Sequence, residues 1–420
     1  MTAWSTLPLK DVGRWYGGGT PSKGKPEFWE GGDIPWVSPK DMTSEVLRGS
    51  RDHVTVAAVE NSAARLVPSG SVALVVRSGI LERTLPIAVV PFDTTLNQDM
   101  KAVLPADGID PRWIAWALRS REHDLLATTR KAGTTVASIE NSKLLSYRIP
   151  IAPPEEQRRI VEILEDHLSR LDAATAYVST VASRLVSLDH SMLEQLFGGT
   201  DRRVRLGELI DGVEAGRSFG GSAAPAGEDE WGIIKVSAMT YGAFRATENK
   251  AIPADKADSR YEIRAGDVLV SRANTSEYVG AAVLVTDPVR PRLLLSDKSL
   301  RLKPKQAVDP AWLCATLQSP SVRKQISAGA TGTKDSMRNI SQSALLGVRV
   351  PDVDLERQRS ALHKYDTFSA NREPLAAAVS SSARRTESLR RALLAAAFSG
   401  KLTGRRTDEE VVEELTEAMG

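Results

Sequence analysis

Five histidines, one cysteine and a glycine-rich stretch are the residues of this 420-residue chain whose types and spacing come nearest to catalysis. His53, His123, His167, His190 and His363 are scattered, with no His-x-x-x-His pair and no His/Cys spacing suited to zinc. Cys314 lies in the apolar helical run Trp312 to Leu317, where a thiol packs as a small buried group. Being alone, it can form neither an internal disulfide nor a Cys-rich metal site, and a reducing interior is the compartment expected. The stretch Gly19-Thr20-Pro21-Ser22-Lys23-Gly24-Lys25-Pro26 has the Gly and Gly-Lys spacing of a phosphate loop. Pro26, however, replaces the magnesium-binding hydroxyl and blocks the helix that such a loop must open. No Asn/Asp-Pro-Pro-aromatic loop of amino-methyltransferases is present. Asp352, Asp354 and Glu356 are not followed by the Glu-x-Lys of a nuclease. These residues predict a chain that is not an enzyme by itself, with no catalytic residues, no metal site and no cofactor of its own.

What remains is recognition chemistry. In the first part of the chain Thr20, Ser22, Lys23 and Lys25 follow a glycine run that permits close backbone approach, and Trp36, Ser38, Lys40, Asp41 and Arg77 come after them. Further on stand Thr134 and Thr135 of a Gly-Thr-Thr turn, then Arg217, Ser218, Lys235, Arg272, Asn274, Thr275, Thr333, Lys334 and Arg338. Such groups satisfy phosphate oxygens or read base edges, so they are the DNA-binding candidates. Taken singly, each suits a solvated loop better than a base contact; the constellation carries the expectation.

The elements that must position these loops come in two copies. Asp110-Pro111-Arg112-Trp113 recurs as Asp309-Pro310-Ala311-Trp312, and Ile139, Leu144, Leu145, Arg148, Ile149 and Pro150 recur as Ile340, Leu345, Leu346, Arg349, Val350 and Pro351. Glu156-Gln157-Arg158 becomes Arg357-Gln358-Arg359, and Phe197-Gly198-Gly199 becomes Phe398-Ser399-Gly400. Blocks in one order at shifts of about 200 residues mark a tandem duplication, each copy large enough for its own core. Short β-branched runs such as Ser71 to Val76, Ile87 to Val90, Val268 to Ser271 and Ala281 to Val285, bounded by Pro and Gly turns, predict strands of a mixed α/β (α+β) domain. Asp-Pro opens a predicted helix at Pro111 to Leu126 and another at Pro310 to Ile326.

A second texture closes each copy. From Glu155 to Phe197 there is neither proline nor glycine, and Leu164, Leu171, Val178, Leu185 and Met192 fall at seven-residue spacing, with Ala174, Val181 and Leu188 as a second row. A helix of that length spans about 60 Å, too long to be buried inside one small domain. The second copy carries Leu375, Val379, Leu389 and Leu393, with Pro374 expected to kink or restart the helix. The expected seam therefore pairs two long helices as an antiparallel coiled coil; two exposed helices awaiting partner proteins is the other reading. Thr407 with Glu410 forms a capping box opening a short acidic helix at the end of the chain.

Pro8-Leu9-Lys10-Asp11-Val12, Gly19-Thr20-Pro21-Ser22, Trp29, Gly31, Ile34-Pro35-Trp36-Val37-Ser38 and Asp41-Met42 together resemble the opening of the specificity subunits of type I restriction-modification systems. So do Pro153-Pro154-Glu155-Glu156-Gln157-Arg158-Arg159-Ile160 and the closing run Leu393 to Thr403. The resemblance covers essentially the whole chain. The second copy departs from it at Ser222-Ala223-Ala224-Pro225 and at Pro351-Asp352-Val353-Asp354-Leu355-Glu356-Arg357-Gln358.

The resemblance implies two tandem target recognition domains, residues 1–152 and 201–351, each followed by a long helix, 153–200 and 352–403, and then the acidic helix 404–420. It implies a non-catalytic subunit that reads a bipartite, asymmetric site in double-stranded DNA. Its partners are then two methyltransferase (modification) subunits that bring S-adenosylmethionine, and a restriction subunit, dependent on ATP and Mg, that can join for cleavage. The location implied is cytoplasmic, with no membrane. A self-contained DNA methyltransferase or nuclease chain, and a coiled-coil adaptor for proteins, are the competing readings. Net charge fits a division of labour: the chain as a whole is +2, whereas residues 1–150 carry 18 Lys+Arg against 16 Asp+Glu and residues 202–351 carry 22 against 16. Those modest excesses predict weak DNA affinity for the chain alone.

Overall fold

The computed structural model describes residues 4–131, 133, 136–199, 201–218, 224–240, 242–286, 289–335 and 337–402, with 333 and 334 described by backbone only. The acidic segment 404–420 lies outside the described residues. Two compact units are present: Met1–Val178 with Ser381–Gly420, and Ser179–Ser380.

The first unit is built on an antiparallel sheet in the order Gly13–Gly17, Met100–Pro105, Ser71–Val75, Ile87–Val90. All five residues of Ser71–Val75 are buried, so both faces of this strand are covered. The two-residue alternation sorts its side chains. Val72 and Leu74 join Trp113, Ile114 and Leu118 of the helix Pro111–Ser120. Ala73, with Ala88 and Ala102, faces a second sheet through Val37, Leu96 and Val67. That second sheet runs Asp52–Val54, Ile34–Val37, Thr94–Leu96, Leu66–Val67, with the middle pair parallel.

The second unit repeats the plan. Its main sheet runs Ile210–Ala215, Ser299–Pro304, Val268–Ser271, Ala282–Leu284, and its smaller one Asn249–Ala251, Gly232–Ile234, Leu293–Leu294. Val268 and Val270 face the helix Pro310–Gln318 while Leu269 faces the smaller sheet, the same alternation in register.

Both Asp-Pro starts are capped as expected: Asp110 accepts from the Arg112 N–H, and Asp309 from the N–H groups of Ala311 and Trp312. The helices are shorter than expected. Pro111–Ser120 ends and Glu122–Thr129 follows; Pro310–Gln318 ends and Pro320–Gly329 follows. Pro320 accounts for the second break, since it has no N–H with which to continue the ladder.

The first long helix is Pro154–Leu193, extended by a π-helical turn Glu194–Gly198, and the second is Leu355–Phe398. The second runs unbroken through Pro374, so the expected restart does not occur. Pro374 and Ala370, whose carbonyl the proline leaves without its helical donor, are both exposed.

Pairing is antiparallel within each unit. In the first, Arg159 donates to the Leu402 carbonyl while Asp172, further along, meets Arg390. In the second, Tyr365 Oη donates to Asp189 (3.1 Å) and its ring meets Phe197 edge-on at 5.6 Å. The deepest residues, Ile160, Val161, Leu164 and Leu168, are core members of the first unit, beside Leu393, Ala396, Ala397 and Phe398. Their three- and four-residue spacing is that of a helix lying on a domain rather than a strict heptad seam. Leu185 is buried; Leu171, Val178, Met192, Val379 and Leu389 are half-buried. The seam is corrected at Leu375, which is 49% exposed, and in its second row at Ala174 and Leu188.

One buried side chain ties each long helix to its domain. Gln157 Oε1 accepts from the Asp110 N–H (2.9 Å), and its Nε2 donates to the carbonyls of Gly108 (3.1 Å) and Ala152 (2.7 Å). Gln358 does the same with Asp309 (2.8 Å), Ala307 (3.1 Å) and Val353 (2.9 Å).

Candidate nucleic-acid interface

In each unit the candidate loops converge on one three-residue turn leading into the long central strand. In the first unit this is Asn97-Gln98-Asp99. The Gly18 N–H donates to Met100 (3.2 Å), the Gly19 N–H to Leu96 (2.8 Å), and the Asn97 N–H to the Val37 carbonyl (2.8 Å). Thr20 Oγ1 donates to Gln98 Oε1, and Arg77 Nε lies 2.6 Å from Asp99 Oδ1. The Asp99 carbonyl also accepts from the N–H groups of Val76 and Arg77, and Ser78 N–H reaches Ala137 at the return of the Gly133 turn. Thr20 and Arg77, far apart in sequence, are thereby brought to one place.

The equivalent turn in the second unit is Ser296-Asp297-Lys298, displaced by 199 residues, the shift that relates Asp110 to Asp309. The Gly216 N–H donates to Ser299 (3.2 Å), Arg217 pairs with Ser296, and the Arg272 N–H donates to Lys298 (2.8 Å). Arg272 in turn accepts from Ile340, as Val76 accepts from Ile139. The glycines serve this packing: a Cβ on Gly18 would lie 1.8 Å from the Asn97 carbonyl oxygen, and one on Gly216 would lie 2.2 Å from that of Ser296. The close approach that the glycine run permits is thus to the protein's own backbone.

Two sequence candidates are corrected. Trp36 is 5% exposed, in a small core with Phe28, Val54 and Ala58, and its Nε1 donates to the Gly19 carbonyl (3.1 Å). Ser38 is buried, its N–H and Oγ both 2.8 Å from Asp41 Oδ2. Both shape the loops from beneath, because an indole or hydroxyl so enclosed has no free face for a base.

Lys25 is held beside Glu27 (4.0 Å) and over the Phe28 ring, and the Ser22 carbonyl accepts from Trp29 Nε1 (3.1 Å). Lys23 is exposed; so is Lys40, which lines an open cleft of about 460 Å³ with Arg48 and Arg51. In the second unit Arg217, Ser218 and Arg272 are exposed, and Lys235 is half-buried at the position of Ser38, as the parallel pairings of the two smaller sheets align them. Asn274 Nδ2 donates to Ser271 (3.2 Å), and Arg338 braces its hairpin through the carbonyls of Ala330 (2.7 Å) and Gly332 (3.2 Å). Thr134 and Thr135, and the side chains of Thr333 and Lys334, lie outside the described residues. Sequence reasoning missed Gln98, Asp297 and Lys298; the signal was a polar triplet between two apolar runs, repeated at the domain shift.

One electrostatic feature sets the units apart. A cleft of about 590 Å³ in the first unit holds Glu45 between Arg119 (3.9 Å) and Arg390 (3.6 Å). Burial pushes the Glu45 carboxyl above its ordinary range against the pull of both arginines, and burial lowers Arg119. Arg119 also donates to the Ile87 carbonyl (2.6 Å); the second unit has neutral Gln318 there, donating to Ala282 (2.9 Å). Cys314 is buried and its thiol is pushed up to about 12, so it stays protonated.

Residues 1–176 match the model of the type I restriction modification DNA specificity domain. This first unit is therefore similar to that specificity domain. Over 191 residues it is 45% identical to the Escherichia coli type I restriction enzyme EcoR124I/EcoR124II specificity subunit, 46% of each chain. It is 31% identical over 165 residues to the Methanocaldococcus jannaschii MjaIX specificity subunit, 38% of this chain and 37% of that one. In both pairings the match spans less than half the relative's length. At 21% identity, the E. coli EcoKI specificity subunit aligns over 88% of this chain and 79% of its own. A chain solved in work on complex assembly and conformational transition of the type I R-M system superposes with TM-score 0.71 at 20% identity, covering 96% of this chain and 99% of that one. That likeness speaks for the fold alone. Among the described residues no helix is long and apolar enough to cross a membrane.

Proposed function

We propose that the chain is the non-catalytic specificity subunit of a type I restriction-modification complex, reading a bipartite, asymmetric site in double-stranded DNA with one half-site per unit. The observation that carries this reading is the repeated scaffold with unlike loops: two turns held by the same backbone bonds present Asn-Gln-Asp in one unit and Ser-Asp-Lys in the other. Exposed cations at Lys23, Lys40, Arg48, Arg217 and Arg272 supply sequence-independent phosphate contacts. The long helices serve as spacer and as the docking surface for two methyltransferase subunits; exposed Tyr177, Val186, Leu188 and Leu375 are apolar groups suited to that contact. S-adenosylmethionine belongs to those partners, and ATP and Mg to a restriction subunit, with none bound by this chain. The setting is the cytoplasm.

Binding measured against salt, with and without methyltransferase subunits, tests this. Affinity for duplex DNA falls steeply with salt, and the sequence preference strengthens when the partners are added. Methyl transfer by the purified chain without partners contradicts the reading.

A further inference from the structure

We propose that the residue at the tip of the convergent turn, Gln98 in the first unit and Asp297 in the second, reads a base in each half-site, and that the two residues do so with opposite hydrogen-bonding polarity. This rests on the DNA-reading function proposed above. The turn is where the loop after Gly18 or Gly216, the backbone of Val76 or Arg272 and the segment returning to Ile139 or Ile340 meet. Around it the two units use the same devices: a glycine pressed on the turn's first carbonyl, and the same ladder bonds into the central strand. At the tip itself the residues differ, and both are exposed. A position that is fixed by its scaffold, open to solvent and chemically different between two readers can change base preference without disturbing the fold.

The polarity follows from partners already made. Gln98 Oε1 is occupied by the Thr20 hydroxyl, whereas its amide nitrogen has no partner among the described residues. It is left to donate, which matches guanine O6 and N7 or thymine O4. Asp297 has neither a hydrogen-bond nor an ion-pair partner among the described residues and can only accept, which matches the amino groups of cytosine N4 or adenine N6. A free carboxylate beside DNA is repelled by phosphate, and the neighbouring residue answers that: Lys298 is exposed, and its ammonium is unpaired among the described residues. The first unit needs no such cation, because Gln98 is neutral and the charge of Asp99 is taken by Arg77.

The test uses the full chain assembled with the methyltransferase subunits of its own system, and reads methylation over a library in which every half-site position is varied. A wild-type complex that shows no bipartite site contradicts the DNA-reading function itself, apart from the assignment of these two residues. Asp297→Asn, equal in size, turns an acceptor oxygen into a donor. Preference at one position of one half-site should fall about tenfold for C or A and move toward G or T. Gln98→Glu keeps the acceptor for Thr20 and should shift the other half-site in the reverse sense. Unchanged preference in both variants, or a uniform loss over all sequences, overturns the proposal. Should either variant fail to assemble, Asp297→Ala should level the preference at its position to within about twofold, and a preference retained there overturns the proposal equally.

Discussion

Gln157 gathers the Asp110 N–H and two carbonyls at the root of the first long helix, and Gln358 gathers the same three groups at the root of the second. At the turns 97–99 and 296–298, by contrast, no residue is shared, although the backbone bonds around them are. The difference follows from what each position must satisfy. A buried donor or acceptor left unpaired costs on the order of 1–3 kcal/mol, so the root admits few side chains. The turn satisfies its own backbone and leaves the side chains of Gln98, Asp297 and Lys298 exposed. Duplicated domains can therefore diverge at these turns while keeping how they fold.

The two cores should be equally sensitive to loss of their buried tryptophans. Trp113 and Trp312 are both fully enclosed, and Trp113→Ala and Trp312→Ala should each cost about 3–5 kcal/mol in denaturant unfolding. A cost below about 1 kcal/mol for either would show that the two cores are not built alike. Next in size, Gln157→Ala and Gln358→Ala should each cost roughly 1–3 kcal/mol, and by similar amounts. A marked inequality, measured the same way, would mean that one helix root is held by something else.

A smaller effect is expected at Arg119. Arg119→Gln makes the first unit resemble the second at this position, where Gln318 already donates to the corresponding backbone carbonyl. The half-exposed Glu45 partner makes the lost ion pair worth little, and stability should change by less than about 1 kcal/mol. A larger loss in thermal unfolding would give the Glu45 cleft a structural role that its counterpart lacks.

Much of this was legible in the residues. The duplication, the Asp-Pro caps and the long helices all follow from spacing, because each rests on local chemistry or on a period. The convergent turns did not. Thr20, Arg77 and Gln98 are remote in sequence and meet only because three strand ends share one edge of the fold. Trp36 and Ser38 were misplaced for the opposite reason: an aromatic and a hydroxyl in a polar loop look like contacts until the second sheet encloses them. Leu375 fits a heptad on paper, yet the helices turn their deepest faces to the domains at three- and four-residue spacing.

On the proposed function, two unlike readers share one scaffold and recognise two halves of one site. Mapping every methylated adenine in DNA exposed to the chain together with the methyltransferase subunits proposed as its partners tests this. Two different half-sites separated by a fixed number of unread base pairs are expected. A single continuous site, two identical half-sites, or a separation that varies freely would contradict it.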